Sequence, residues 1–179
     1  LVELATTQVL FTIMHASFMP ALGVGQACST LVSKYMGEKN INKAEDSIKE
    51  SIRLAEYIMG TMGISFILFP EFYLSTFTKD IEIVQMGVFG LKMLGTVQFL
   101  DAIGFILWFA LSGAGNTLFP AVVESSLVWV VVVFGSYFFG FYLGFGFKIL
   151  WLLFPLYMGL FAIIMVWKVK KGDWKTIIV

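Results

Sequence analysis

Charge is scarce in this sequence, and cysteine is nearly missing. Only 13% of the 179 residues are charged, against about 25% in an average soluble domain. The twelve basic and twelve acidic residues cancel, so no basic face is available to neutralise phosphates, and nucleic acid is not expected as a partner. The single Cys excludes a disulfide framework within the chain. Without a CxxC or Cys/His cluster, neither a metal-binding pattern nor a cofactor is expected.

An initiating Met and a charged leader are missing as well. The sequence begins with Leu1, inside apolar sequence. A secretory signal peptide has a positively charged segment before its apolar core. We therefore expect this start to be a cut through a longer protein rather than a signal peptide.

Apolar residues, in contrast, are in excess. They make up 59% of the sequence, Phe occurs 19 times, and the mean hydropathy is +0.88. A soluble domain of this size cannot bury so much apolar surface, so lipid must cover part of it. The chain is therefore predicted to be an all-α polytopic membrane protein. Stretches long enough to cross a bilayer, about 20 residues each, occur five times, at about 4–35, 55–77, 83–114, 118–143 and 149–167.

Two polar segments set the orientation of these spans. Residues 36–54 are predicted to be a cytoplasmic loop, and apolar positions at helical spacing within it predict a short interfacial helix. A tail, 168–179, follows the last span. Nine of the twelve basic residues fall in 34–53 and 168–175, and four spans separate these two clusters. Both clusters therefore lie on one side, and the positive-inside rule places that side, with the C-terminus, in the cytoplasm.

Asp101 is the residue best suited to carry chemistry. It lies twelve residues before Gly113, hence roughly 18 Å from the end of its span and near the middle of a core about 30 Å thick. A charge at that depth costs about 3 kcal/mol, so the carboxyl needs a cavity or a partner. It can exchange a proton or Na⁺, and Gln98 one turn earlier offers a carbonyl ligand of the kind that hard cations prefer. The alternative is a hydrogen-bonded Asp that fixes helix packing.

Other polar and aromatic positions allow two interpretations each. Gln26 and Ser29 either line a cavity or pack between helices. Glu124 lies six residues into the fourth predicted span and is expected to have an interfacial role. Aromatic residues such as Trp108 and Trp129 are expected to pack or to face lipid rather than to form a cage for an organic cation.

Glycines recur near the predicted helix ends. Gly23, Gly25 and Gly37 are predicted to permit close helix approach and a sharp exit from the membrane. Gly113 and Gly115 are predicted to adopt the positive φ angles that a short reversal requires. These glycines belong to the motifs Pro20-Ala-Leu-Gly-Val-Gly-Gln-Ala, Ser29-Thr-Leu-Val-Ser-Lys-Tyr-Met-Gly and Leu111-Ser-Gly-Ala-Gly-Asn-Thr, and the further motifs are Gly144-Phe-Gly and Lys171-Gly-Asp-Trp-Lys.

In order, spacing and charge placement, these motifs resemble the C-terminal lobe of MATE transporters, the multidrug and toxic compound extrusion proteins. The resemblance implies two six-helix lobes around a central cavity, with helices eight to twelve in this chain. The N-terminal lobe and the seventh helix of the same protein are then its missing partners. It also implies an antiporter in the bacterial inner membrane, which uses Na⁺ or H⁺ to export drugs or other small organic, often cationic, molecules.

The resemblance extends to the candidate site. Gln98-Phe-Leu-Asp-Ala102 is similar to the Q-x-x-D-A stretch on the tenth helix of bacterial members, where the Asp belongs to a cation site. This implies that Asp101 and Gln98 bind the coupling ion, with Na⁺ as one candidate. Some members place a Tyr four residues before the Asp, where this chain has Val97, a candidate cavity-lining residue.

Three other functions compete with antiport. A flippase of the same superfamily, which moves lipid-linked oligosaccharides or peptidoglycan precursors, is typically rich in Arg and Lys in its cavity, and here only Lys92 lies within a span. An integral membrane enzyme needs clustered catalytic groups, which one His, one Cys and two separated embedded carboxylates do not provide. A non-transporting membrane scaffold predicts that Asp101 can be replaced without consequence.

Overall fold

The computed structural model describes residues 2–177, and their backbone forms helices and turns without a strand. Five stretches are long and apolar enough to cross a membrane, which confirms the prediction of an all-α polytopic membrane protein with five spans. The α-helices are α1 (Val2–Gly37), α2 (Ile41–Leu68), α3 (Pro70–Phe77), α4 (Ile81–Gly113), α5 (Leu118–Leu127) and α6 (Phe147–Lys171).

The helix predicted within the polar segment 36–54 is present, but it is continuous with the second span rather than a separate interfacial helix. α2 already begins at Ile41 and continues without interruption into the membrane-crossing part, so residues 41–54 are helical. The side chain of Asn40 caps the helix by accepting a hydrogen bond from the backbone N–H of Lys43, at 3.2 Å. Buried Ala44, Ile48 and Ala55 then give the first turns an apolar face, so the whole segment extends α2.

The second predicted span, 55–77, is divided into two helices. α2 ends at Leu68, and Pro70 opens α3 in the first turn, where its missing N–H is tolerated. Phe69 between them has φ −126° and ψ 48°, consistent with the bias against helical geometry before a proline. Pro20, in contrast, lies inside α1, which continues through it.

The fourth span changes its hydrogen bonding halfway. Beyond Leu127 the chain continues as two π-helical segments, Val128–Phe134 and Ser136–Tyr142. The backbone N–H of Leu143 donates to the carbonyl of Phe138 at 3.0 Å, a bond five residues back. The first segment is rich in valine, whose branched side chains crowd the preceding turn of an α-helix. No buried residue other than Pro120 occurs between 118 and 142, so this span lies at the edge of the bundle.

α4 is the central helix, packed against α1, α2 and α6. Its crossing with α2 brings Gly63 and Gly95 into backbone contact. A methyl group on Gly63 would lie 2.5 Å from the carbonyl oxygen of Gly95, and one on Gly95 would lie 2.6 Å from that of Gly63. Glycine at both positions therefore allows the two backbones to touch, as small residues do at helix interfaces in membranes.

A short turn after α6 folds back onto the start of α2. Gly172 ends α6 with φ +81°, and a 3₁₀ helix spans Asp173–Thr176. Trp174 is buried, and its indole N–H donates to the carbonyl of Val169 at 3.0 Å. Lys175 forms an ion pair with Glu45 of α2. Residues 172–177, called the C-terminal turn below, are thus held to α6 and α2.

This turn should loosen in acid. The ammonium groups of Lys168 and Lys171 lie 3.1 and 3.2 Å from Asp173 Oδ2, and these bonds hold the pKa of Asp173 below its ordinary value. The pairs stabilise the turn above the unfolded pKa, about 3.9, and are lost as the pH falls through the lower folded value. The backbone amide of Lys175 donates to the Gly172 carbonyl and reports on the turn. After correction for the intrinsic pH dependence of exchange, its hydrogen exchange should become faster as the pH falls. Asp173→Asn should remove this dependence, and an identical pH profile in both proteins would contradict the assignment.

Candidate functional site

Asp101 and Gln98 lie one helical turn apart on α4, both inside the bundle. Their residues are 7% and 2% exposed, which is unusual for a carboxylate and an amide. The Gln98 side chain reaches α1, where its amide nitrogen lies 2.8 Å from the hydroxyl oxygen of Ser17. The two helices thus fix the position of Gln98 next to the turn that carries Asp101.

The hydrogen bonds of Ser17 decide which way the Gln98 amide points. The Ser17 hydroxyl donates its proton to the carbonyl of Met14 at 2.7 Å, so its oxygen can only accept from Gln98. The NH₂ group of Gln98 therefore faces Ser17. Its carbonyl oxygen is buried and has no hydrogen-bond partner among residues 2–177. A buried acceptor without a partner costs about 1–3 kcal/mol, so this oxygen is suited to receive a ligand.

Glu124 and Tyr157 complete the surroundings of Asp101. Glu124 of α5 lines a cavity together with Phe105, which lies one turn after Asp101 on α4. Tyr157 of α6 stacks with Phe161, whose ring packs against Gly104 on the same part of α4. Tyr157 is 4% exposed, whereas Glu124 is half-buried. The interfacial role expected for Glu124 stays a prediction, and the structure adds that its side chain lines a cavity next to α4. Three helices, α4, α5 and α6, each contribute one ionisable group to this cluster.

A cavity of about 490 Å³ opens beside this cluster, between α1, α4 and α5. Its wall is largely aromatic: the ring centroids of Phe18 and Phe105 are 4.2 Å apart, and those of Phe105 and Phe109 are 4.9 Å apart. Glu124 contributes the charged group of the lining. The residues lining this aromatic cavity are Phe18, Leu22, Ser29, Phe105, Trp108, Phe109, Ser112 and Glu124.

The remaining candidate residues lie in different surroundings. Ser29 lines the aromatic cavity and also a more polar one next to Ser112. Gln26 is exposed on the outer surface of α1, and Val97 is 3% exposed, buried within the packing of α4. Neither Gln26 nor Val97 contributes to the lining of the aromatic cavity.

The glycines divide into those that the packing requires and those that it does not. The Phe109 ring packs directly against Gly25. A methyl group on Gly25 would lie 2.5 Å from Phe109 Cδ2, so the packing requires glycine there. Gly115 has φ +86°, as predicted for the reversal. The positive φ predicted for Gly113 is wrong, since Gly113 is the last residue of α4 and packs against the backbone of Ser29. Added methyl groups on Gly23 and Gly37 would meet no atom within 4 Å, so the described residues show no close approach there.

Asp101 and Gln98 are the described residues of the candidate site that could supply oxygen ligands to an ion. Within residues 2–177 no group of three or more His, Cys, Asp or Glu side chains is placed to hold a metal ion. One carboxylate and one free amide carbonyl are oxygen ligands, which suit a hard ion of low charge. Further oxygens for Na⁺ have to come from water or from the rest of the protein.

Five membrane-crossing spans, with the central α4 packed against α1, α2 and α6 and carrying a buried carboxyl near a cavity, fit the architecture of a polytopic membrane transporter. The family model described as MatE matches residues 1–138. The chain belongs to this family, which confirms the resemblance drawn from the motifs.

Two relatives and three solved structures show how much of a transporter the chain represents. The chain is 36% identical over 113 residues to "Probable multidrug resistance protein NorM" of Thermotoga maritima, covering 63% of this chain and 24% of the relative. It is 23% identical over 131 residues to "Uncharacterized transporter YisQ" of Bacillus subtilis, covering 73% and 29%. The matched parts therefore cover less than a third of the length of these curated relatives.

The solved structures agree in fold at low sequence identity. The eukaryotic MATE transporter AtDTX14 superposes with a TM-score of 0.86 at 18% identity, over 97% of this chain and 39% of that one. A MATE structure in the bent conformation gives 0.84 at 21% identity, over 96% and 38%. An inward-facing multidrug resistance MATE family transporter of the MOP superfamily gives 0.80 at 21%, over 94% and 41%.

Proposed function

We propose that the whole protein to which this chain belongs is an antiporter that exports small organic, often cationic, molecules in exchange for Na⁺ or H⁺. The observation that carries the proposal is the pair formed by Asp101 and the unpartnered Gln98 carbonyl, two buried oxygen ligands one turn apart on the central helix. The similarity to a probable multidrug resistance protein supports the export of drugs.

The cluster also suggests how ion and substrate exchange. A coupling ion neutralises Asp101, and an organic cation in the aromatic cavity neutralises Glu124. Because the two carboxyls act on each other electrostatically, a positive charge at one weakens the attraction of the other for a second cation. Ion and substrate therefore compete, which is the negative coupling that antiport requires. The coupling ion drives a change of conformation only through its different affinities for the two states.

The orientation and location belong to the same proposal. The positive-inside rule, applied to the two basic clusters, supports the proposal that the turn between α1 and α2 and the C-terminal turn face the cytoplasm. The resemblance to bacterial members supports the proposal that the membrane is the inner membrane of a bacterium. The remaining lobe and helices come from the rest of the whole protein. Alternating access in such two-lobe proteins arises when one half rocks against the other around the site.

The flippase alternative is less well supported by the cavity. A pyrophosphate-linked substrate needs cationic ligands, whereas the lining of the aromatic cavity contains Glu124 and neither Arg nor Lys. Lys92, the basic residue within a span, is exposed on α4 rather than turned to this lining. A carboxylate among aromatic rings is the arrangement that favours an organic cation.

Reconstitution of the full-length protein tests the function. Proteoliposomes loaded with ethidium should release the dye when an opposing Na⁺ or H⁺ gradient is imposed, and one of the two ions should suffice. Collapsing that gradient with an ionophore should stop release. Dye release that continues at the same rate without any gradient would overturn antiport, and the absence of release of any tested organic cation would overturn drug export.

Glu124→Gln should affect the substrate rather than the coupling ion. Removing the charge from the aromatic cavity is expected to raise the KM for ethidium about tenfold. The bound cation would lose its attraction to the carboxylate, on the order of 1.4 kcal/mol of binding free energy, and keep its contact with the aromatic rings. The ion dependence of transport should persist. Glu71→Gln, which removes an exposed carboxylate from α3, is the control and should leave KM unchanged. An equal rise in KM for an uncharged substrate would contradict a charge-based role.

A further inference from the structure

A second cavity lies in the cleft between α2 and α6, with a lining that shares no residue with that of the aromatic cavity. It measures about 380 Å³ and is mainly apolar. Ile48 and Ile52 of α2 form one wall, Val166 and Val169 of α6 form the other, and Leu107 of the central helix α4 forms the floor. We call this cleft the α2–α6 groove. Because it runs between two membrane-crossing helices, its occupant meets apolar side chains along its length.

The polar end of the groove is rimmed by lysines. Lys49, Lys170 and Lys175 line it together with Glu45, so three positive charges face one negative charge. Lys175 is paired with Glu45. Lys49 lies 3.4 Å from Asp46, but both side chains are more than 60% exposed, and such a pair contributes little. Lys170 has no ion-pair partner among residues 2–177. The rim therefore keeps an uncompensated positive charge.

The C-terminal turn fixes this rim where apolar and polar surfaces meet. Trp174 lines the groove, and its hydrogen bond to Val169 holds the indole in place. The ammonium group of Lys175 lies 5.9 Å from the centre of the indole ring. Trp is enriched at the boundary between hydrocarbon and headgroups. This arrangement fits a groove whose apolar part meets acyl chains and whose lysine rim meets headgroups.

We propose that the α2–α6 groove binds an anionic phospholipid, with one acyl chain on the apolar floor and the phosphate at Lys49 and Lys170. The charge of the rim selects a negatively charged headgroup over a zwitterionic one, because basic residues at the membrane surface attract anionic lipids. The apolar floor selects a lipid over a free phosphate ester, which has nothing to place there. This lipid site is separate from the ion and substrate site proposed above. The proposal of a lipid site therefore does not depend on whether the protein transports organic cations.

Native mass spectrometry of the full-length protein in detergent tests the site. With equal amounts of phosphatidylglycerol and phosphatidylcholine added, phosphatidylglycerol should be retained preferentially. The double variant Lys49→Gln with Lys170→Gln should lower its retention about tenfold. The matched control is Lys79→Gln with Lys148→Gln, which removes two exposed lysines outside the groove and should retain the lipid.

A second variant tests the apolar part of the groove. Val166→Phe adds volume at a half-buried position in the wall of the groove without changing the charge. It should exclude the acyl chain and so lower lipid retention. Dye transport and the thermal unfolding temperature of the variant show whether it is still folded. Equal retention of the two lipids, or unchanged retention in the double-lysine variant, would overturn the proposal. Displacement of the lipid by excess glycerol 1-phosphate would show that the headgroup alone binds and would overturn the acyl-chain site.

Discussion

Replacing Asp101 with Asn is expected to abolish ion-driven dye efflux by the full-length protein without unfolding it. Asn keeps the size of the side chain and an oxygen ligand but loses the charge and the exchangeable carboxyl proton. Neither Na⁺ nor H⁺ would then bind one conformational state more tightly than the other through this side chain. Allosteric coupling of this kind typically amounts to 1–3 kcal/mol, about 5- to 150-fold in affinity. Expression in cells lacking their own efflux pumps, with dye accumulation as the readout, measures the loss.

The same experiment separates coupling from structure. Glu82→Gln removes an exposed carboxylate from the first turn of the same helix and should retain wild-type efflux. Surface expression and the thermal unfolding temperature of Asp101→Asn should match those of the wild type, because a buried Asn avoids the desolvation of a charge. If a folded Asp101→Asn protein shows unchanged ion-dependent efflux, the coupling role of Asp101 is wrong. The residue would then serve helix packing alone, and its replacement would be without consequence, as the scaffold alternative predicts.

Gly95→Ala is expected to destabilise the full-length protein strongly. The new methyl group would lie 2.6 Å from the carbonyl oxygen of Gly63 and 2.8 Å from Ile67 Cγ1. A backbone atom cannot change rotamer, so α2 and α4 would have to separate along their contact. Overpacking of this kind costs about 1–3 kcal/mol or more, which exceeds the gain of about 1 kcal/mol that Ala brings to a helix. Thermal unfolding in detergent should show a transition several degrees lower.

Gly23→Ala provides the matched control for that prediction. The change of residue type is identical and also lies inside a membrane-crossing helix, but an added methyl group meets no atom within 4 Å. Helix propensity then acts alone, and the unfolding temperature should stay the same or rise. Equal destabilisation of both variants would indicate that the effect comes from glycine in general and not from the contact between Gly63 and Gly95.

The spans could be predicted from sequence because their cause is local. Twenty apolar residues need lipid or protein around them whatever their neighbours are, so composition alone indicates all five. The helical spacing of apolar residues within 36–54 predicted a helix at the start of α2, but not that this helix continues unbroken into the second span. Residues 41–54 are polar on one side, and their helix depends on the Asn40 cap and on burial of Ala44 and Ile48 against other helices. Hydropathy does not contain this information.

Only the part of the candidate site that lies on a single helix, α4, could be predicted from the sequence. Asp101 and Gln98 share a face because they are three residues apart, and their burial follows from the depth of Asp101 in its span. The contributions of Glu124 and Tyr157 depend on how α5 and α6 pack against α4, which no spacing within one helix reveals. One signal was available for Glu124: the reversal between α4 and α5 is so short that α5 must run antiparallel beside the second half of α4.

The unequal burial of α4 and α5 has a consequence for how the chain can vary over evolution. Along α4, shape is the constraint, because sixteen of its residues are buried and residues of α1, α2, α3 and α6 lie against its glycines. Along the fourth span, Pro120 is the one buried residue between 118 and 142, so outside Glu124 in the aromatic cavity the main constraint there is polarity. Valine, leucine or phenylalanine should replace one another freely at the other apolar positions of α5, and these positions should drift quickly in a lineage of such proteins while α4 stays nearly fixed.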